Sequence, residues 1–80
     1  MRLDKFLKVS RVIKRRTVAN EACDAGRVTV NGKVARASYD VKVGDVVEIT
    51  FGTKTVKFEI MKVSEVVKKE EAADLCRIIE

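Results

Sequence analysis

The stretch MRLDKFLKVSRVIKRRTVANEACDAGR, residues 1–27, joins two helical apolar patterns to most of the chain's positive charge. Leu3, Phe6 and Leu7 fall at i, i+3 and i+4, the spacing of one helix face, with Arg2, Lys5 and Lys8 off it. Val9, Val12 and Ile13 continue past Ser10, whose hydroxyl competes for backbone bonds and predicts a bend there. A second helix is expected to begin at Thr17 as N-cap, with Val18, Ala22 and Ala25 on one face and Glu21 near the positive end of its dipole. Asn20 stands where a capping box would place Glu, so that box is absent. Gly26 ends the helix as a C′ residue able to take positive φ.

Seven Lys and Arg precede Thr17 (Arg2, Lys5, Lys8, Arg11, Lys14, Arg15, Arg16) against one acid, Asp4, a formal +6; the other 64 residues carry ten cations against eleven acids. Lys14, Arg15 and Arg16 are expected just ahead of a helix amino terminus, where free N–H groups and the macrodipole already favour an anion. A positive field confined to one face of a small domain is the electrostatic footprint of nucleic-acid binding. An ordinary solvated basic helix is the competing explanation. It is weakened here because the cations crowd two consecutive elements and only Asp4 opposes them. Asp4 itself reads as structural, fixing Arg2 or a neighbouring Arg.

Outward from this stretch the period changes to two. Val28, Thr29 and Val30 form a short strand. Asn31-Gly32 signals a type I′ hairpin, because both residues tolerate positive φ, and residues 33–36 return as a second strand. Arg27 and Lys33 flank that hairpin, whose tip is expected to be either a peripheral phosphate contact or an ordinary exposed turn. Tyr39 and Val41 point inward before a turn at Gly44-Asp45. Val47, Ile49 and Phe51 alternate as a third strand, and Val56, Phe58 and Ile60 as an antiparallel fourth, with a bulge or strand end over residues 61–63. Glu70 and Glu71 open a last helix whose Ala72, Leu75, Cys76 and Ile79 share a face. From Glu65 onward there are five acids and three bases, so this end is a poor nucleic-acid surface and a better lid on the sheet.

Eighty residues allow one domain, and an apolar fraction of 46% with no Pro suits a single compact core. The net charge of +5 selects anionic partners. No apolar run approaches a membrane span of roughly 20 residues and the first residues lack a signal-peptide layout, so a cytoplasmic protein without membrane contact is expected. Cys23 and Cys76 lack CxxC spacing and His is absent, which argues against a zinc site; both read as buried small apolar residues. Without His, a carboxylate pair or a glycine-rich phosphate loop, no active-site constellation forms, and no enzyme, metal or cofactor is expected. The few aromatics fall mostly at core positions, so recognition by shape and phosphate is expected over base stacking on an aromatic platform.

The elements RLDKFL, the Ser10-Arg11 pair, the paired Arg before Thr17, AGRVTVNG and VKVGDVVEI resemble, in that order, the alpha-L RNA-binding domain named after small-subunit ribosomal protein four. The resemblance covers about the first 50 residues. With FGTKTVKFEIMKV and KKEEAADL it extends over the full length to the stand-alone members found in Gram-positive bacteria. It implies an α+β fold: two amino-terminal helices on a small, mainly antiparallel twisted sheet, closed by a carboxy-terminal helix. Residues 1–80 would be one RNA-binding domain, with the core motif over about 1–50 and a sheet extension and helix over about 51–80. The implied function is non-catalytic binding to the large ribosomal subunit, touching its ribosomal RNA and peptidyl-tRNA in ribosome-associated quality control, where an RqcH-type partner directs alanine-tail addition. A monomer is expected. The family's RNA-contacting positions carry over to Arg2, Lys5, Arg11, Lys14, Arg15 and Arg16. Three rivals stand beside it: the heat-shock-type stand-alone factor that handles aborted large subunits, a β-grasp sulfur carrier, and an accessory recognition module for a separate catalytic chain. The sulfur carrier requires a terminal Gly-Gly, whereas this chain ends Ile78-Ile79-Glu80.

Overall fold

The computed structural model describes residues 1–64 and 68–79, so Glu65 and Glu80 of the acidic end lie outside the described residues. Helix α1, Leu3–Val9, buries Leu3, Phe6 and Leu7 together with Asp4. It stops at Ser10, whose hydroxyl donates to the Leu7 carbonyl at 3.3 Å, and the chain then bends through Arg11 at φ 63°. The expected bend is therefore present, and a non-glycine residue in the left-handed region makes it.

Helix α2, Arg16–Asp24, starts before Thr17. Arg15 holds the N-cap position at φ −117° and ψ 130° with no side-chain cap, so Thr17 lies inside the first turn and is not the cap. The phase shifts with the start: Ala19, Ala22 and Cys23 are buried, Val18 is 42% exposed and Ala25 is exposed. Small side chains on the inner face let α2 lie close to α1, and that packing overrides the slightly larger apolar Val18. Glu21 falls mid-helix, and no acid occupies the first turn. Gly26 does take the C′ position at φ 77°.

The strands β1 (Val28–Val30), β2 (Lys33–Val34), β3 (Val46–Phe51), β4 (Lys54–Ile60) and β5 (Cys76–Ile78) form one antiparallel sheet in the order β2-β1-β3-β4-β5. Asn31 (φ 54°) and Gly32 (φ 84°) make the two-residue turn between β1 and β2, pairing Val30 with Lys33. Val28, Val30, Val47, Ile49, Phe58 and Ile60 face the helices and are buried, and Phe6 of α1 stacks on Phe58 at 6.4 Å between ring centroids. The opposite face carries Thr29, Glu48, Lys57 and Glu59; Glu48 lies across from Lys57, and Glu59 from Arg77 on β5, as opposite charges.

Residue 60 ends β4, as the break in alternation there implies. The expected carboxy-terminal helix is not formed. Residues Lys69–Asp74 make a short 3-10 turn, and Cys76–Ile78 become the edge strand β5 on β4. Ala72 and Leu75 are buried as the helical pattern required, yet Cys76 is half-buried and Ile79, the last residue of that face, is 42% exposed. A short helix with one unpacked turn is marginal, whereas pairing beside β4 satisfies the backbone groups of both strands.

A buried carboxylate fixes the hairpin to the sheet. Asp45 accepts from Asn31 Nδ2 at 3.1 Å, Tyr39 Oη at 3.2 Å and the Lys42 amide at 3.0 Å, while Asn31 Oδ1 accepts the Val46 N–H at 3.0 Å. Segment 37–41 is in turn tied to α1: the Leu3 and Asp4 amides donate to the carbonyls of Tyr39 and Ala37, and the Val41 amide donates to that of Met1. The amino-terminal ammonium donates to Asp40 Oδ1 at 2.7 Å. Hairpin, loop and first helix thus form one framework.

Candidate nucleic-acid interface

The cationic face is assembled on Asp4, which is 2% exposed. Its Oδ1 accepts the Lys5 amide at 2.8 Å and Arg2 Nε at 3.2 Å. Its Oδ2 accepts Asn20 Nδ2 at 3.2 Å, Arg2 Nη2 at 3.4 Å and Arg16 Nε at 3.5 Å. One carboxylate therefore gathers Arg2, before α1, and Arg16 and Asn20, on α2. Burial pushes the Asp4 carboxyl up, but the bonds from Asn20, the Lys5 amide and Arg2, with the field of Arg16, outweigh it and hold it below the ordinary Asp value.

Asp4 neutralises one of the two guanidinium charges and leaves the cluster positive. The Arg2 and Arg16 side chains stay 51% and 47% exposed. Arg2 keeps Nη1 for another partner, and Arg16, bound through Nε, keeps both terminal nitrogens. A planar guanidinium held at one edge presents its remaining donors in a fixed direction, which suits phosphate oxygens. A hollow of about 340 Å³ lies against the cluster, lined by Asp4, Arg16, Thr17, Asn20 and Glu21.

Arg15 and Arg16 occupy the N-cap and first position of α2, and Lys14 precedes them. Lys8, Arg11, Lys14 and Arg15 are exposed and make no ion pair among the described residues. Lys5 is half-buried on α1. Lys8 lies in the last turn of that helix. Arg27 is not beside this cluster: it follows the carboxy-terminal end of α2, roughly 13 Å along a nine-residue helix. Lys33 sits on the edge strand β2. The sequence reading of Asp4 as structural, fixing Arg2 or a neighbouring Arg, agrees with these bonds. It missed Asn20, whose i+4 spacing from Arg16 places both on one side of α2 and was the available signal.

Burial, with Asp4 and Asp24 nearby, pushes the Cys23 thiol up to about 11, and Cys76, half-buried, is also raised by burial. Among the described residues no group of His, Cys, Asp and Glu side chains could hold a metal ion, and no helix is long and apolar enough to cross a membrane.

Two helices on an antiparallel sheet, with cations gathered at the start of each helix, define the class. The S4 domain family model matches residues 1–47, and the chain belongs to that family. Its curated relatives sharpen this. It is 60% identical over 98% of its length to the RQC P-site tRNA stabilizing factor of Halalkalibacterium halodurans, covering 89% of that protein. It is 53% identical over 99% of its length to the protein of the same name in Bacillus subtilis, covering 92% of it. The full-length resemblance to the stand-alone Gram-positive factor, RqcP, is thereby established. Among solved structures, Vibrio cholerae heat shock protein 15, described as trimeric, superposes with a TM-score of 0.88 at 32% identity, covering 98% of this chain and 80% of the other.

Proposed function

We propose that this chain is a non-catalytic RNA-binding factor that docks on the large ribosomal subunit and stabilises the tRNA in the P site during ribosome-associated quality control. One observation carries the RNA-binding part: a buried carboxylate joins Arg2 and Arg16 from two elements and leaves their outer donors beside the uncapped, acid-free start of α2. Arg15 and Arg16 grip phosphates there, Lys14 and Arg11 continue the track toward α1, and Arg2 and Lys5 extend it along that helix. Lys8, Arg27 and Lys33 lie at its periphery. The names of the close relatives supply the tRNA and the quality-control setting. Within that setting the factor contacts large-subunit ribosomal RNA and peptidyl-tRNA, acts as a single-domain monomer in the cytoplasm, and works beside an RqcH-type partner that extends stalled chains with alanine.

Counterion release gives the test. If about five cations engage phosphate, log affinity falls with log salt at a slope of roughly −3.5 to −4.5. Arg16→Ala flattens the slope by nearly one unit while the protein stays folded, since a half-exposed ion pair is worth at most about 1 kcal/mol. An unchanged slope and affinity remove Arg16 from the interface. The second role that the sequence resemblance implies, handling of aborted large subunits without tail synthesis, is that of the heat-shock-type factor, and heat shock protein 15 is a structural neighbour of this chain. Co-purification with alanine-tailed chains separates the two.

A further inference from the structure

A second concave surface, sharing no lining residue with the hollow at Asp4, lies between β2 and the loop that follows it. The groove has a volume of about 670 Å³ and is lined by Val30, Asn31, Lys33, Val34, Ala35, Arg36, Ser38 and Tyr39. Its charged lining residues, Lys33 and Arg36, are exposed and have no ion-pair partner among the described residues. No carboxylate lines it. Val34 is 66% exposed, the most exposed large apolar side chain among the described residues. The half-buried Tyr39 is anchored through its hydroxyl, which donates to Asp45 at 3.2 Å. An exposed apolar residue, two cations without an ion-pair partner among the described residues and a ring fixed by a buried carboxylate line one groove, which combines what an unpaired nucleotide requires. The apolar surface and ring meet the base and ribose, and the cations meet its flanking phosphates.

We propose that this groove binds one or two unpaired RNA nucleotides, with Lys33 and Arg36 on the phosphates and Val34 and Tyr39 against the base. The inference rests on the RNA-binding function above and extends it: one small domain would hold two RNA segments at once. The backbone bonds from Leu3 and Asp4 to the carbonyls of Tyr39 and Ala37 fix the groove relative to the Arg2–Asp4–Arg16 cluster. A factor so built can clamp a helical RNA on one surface and a loop or single-stranded end on the other. Charge complementarity selects RNA over an apolar protein segment, and the aromatic lining favours RNA over an acidic peptide.

The test uses the full chain and three fluorescent probes: hexauridylate, a blunt 12-base-pair RNA duplex, and a hexaglutamate peptide. Lys33→Ala/Arg36→Ala is expected to weaken hexauridylate by about tenfold, at least about fivefold more than it weakens the duplex. Val34→Ser, which leaves charge unchanged, is expected to weaken hexauridylate by about threefold, and ultraviolet crosslinking is expected to map to Tyr39. Circular dichroism checks that each variant is folded. Equal losses on hexauridylate and duplex, or no loss on either, overturn the groove. Hexaglutamate binding tighter than hexauridylate, and lost in the same variant, overturns it in favour of a protein partner. Arg16→Ala reports separately: a duplex affinity and salt slope unchanged by that substitution count against the helix-borne interface whatever the groove variants show.

Discussion

Replacing Asp4 by Asn keeps the shape of the side chain and removes its charge, which isolates the role of the buried carboxylate. The bonds from the Lys5 amide (2.8 Å) and Asn20 (3.2 Å) lie largely away from water. Each is worth about 1–1.5 kcal/mol. The two guanidinium pairs are about half exposed at their Arg ends, so solvent screening leaves each below about 1 kcal/mol. Asn retains one acceptor but turns an NH2 group toward donors, so a net loss of about 2–3 kcal/mol is expected. For a chain of this size Tm shifts by roughly 4–8 °C per kcal/mol, a fall of about 8–24 °C. The pH dependence has a definite sign. Because the folded pKa of Asp4 lies below its unfolded value, its stabilisation is present above about pH 4 and is lost as pH falls through the folded pKa. Asp4→Asn should therefore flatten the acid limb of Tm against pH, leaving the part due to Asp40, which the amino-terminal ammonium also holds low. Scanning calorimetry from pH 2 to 7, with Asn20→Ala and the double variant, measures both. A Tm change under about 3 °C with an unaltered acid limb, or strict additivity with Asn20→Ala, would refute a central role for Asp4.

Three further outcomes follow from particular residues. Arg11→Gly relieves a left-handed conformation that costs a non-glycine residue about 1–2 kcal/mol, partly offset by the freer unfolded chain. Urea unfolding should show equal or higher stability while RNA affinity falls. Gly32→Ala meets no atom within 4 Å, so its expected loss of about 1 kcal/mol comes from the backbone at φ 84° alone, and a neutral result in urea would contradict the type I′ turn. With its thiol pushed up to about 11, roughly one Cys23 in a thousand is ionised at pH 8, so iodoacetamide should label it only on unfolding. Rapid native labelling, read by mass spectrometry, would contradict its burial.

The periodicities at Leu3, Phe6 and Leu7, the alternation of Val47 and Ile49 and of Phe58 and Ile60, and the Asn31-Gly32 turn are local signals, and the structure follows them. The concentration of cations before Thr17 is likewise a property of the chain itself, because charge is counted without knowing the fold. Where α2 begins and which face it buries were decided by close packing of Ala19 and Cys23, since burial depends on what lies opposite. The carboxy-terminal segment was settled the same way. Its helical spacing around Ala72 and Leu75 is real, but the open edge of β4 offered residues 76–78 backbone partners that no local pattern encodes. Composition placed Asp4 among cations. Only the folded chain brings Arg2, Arg16 and Asn20 to its two oxygens, because a contact across sixteen residues depends on how two helices cross.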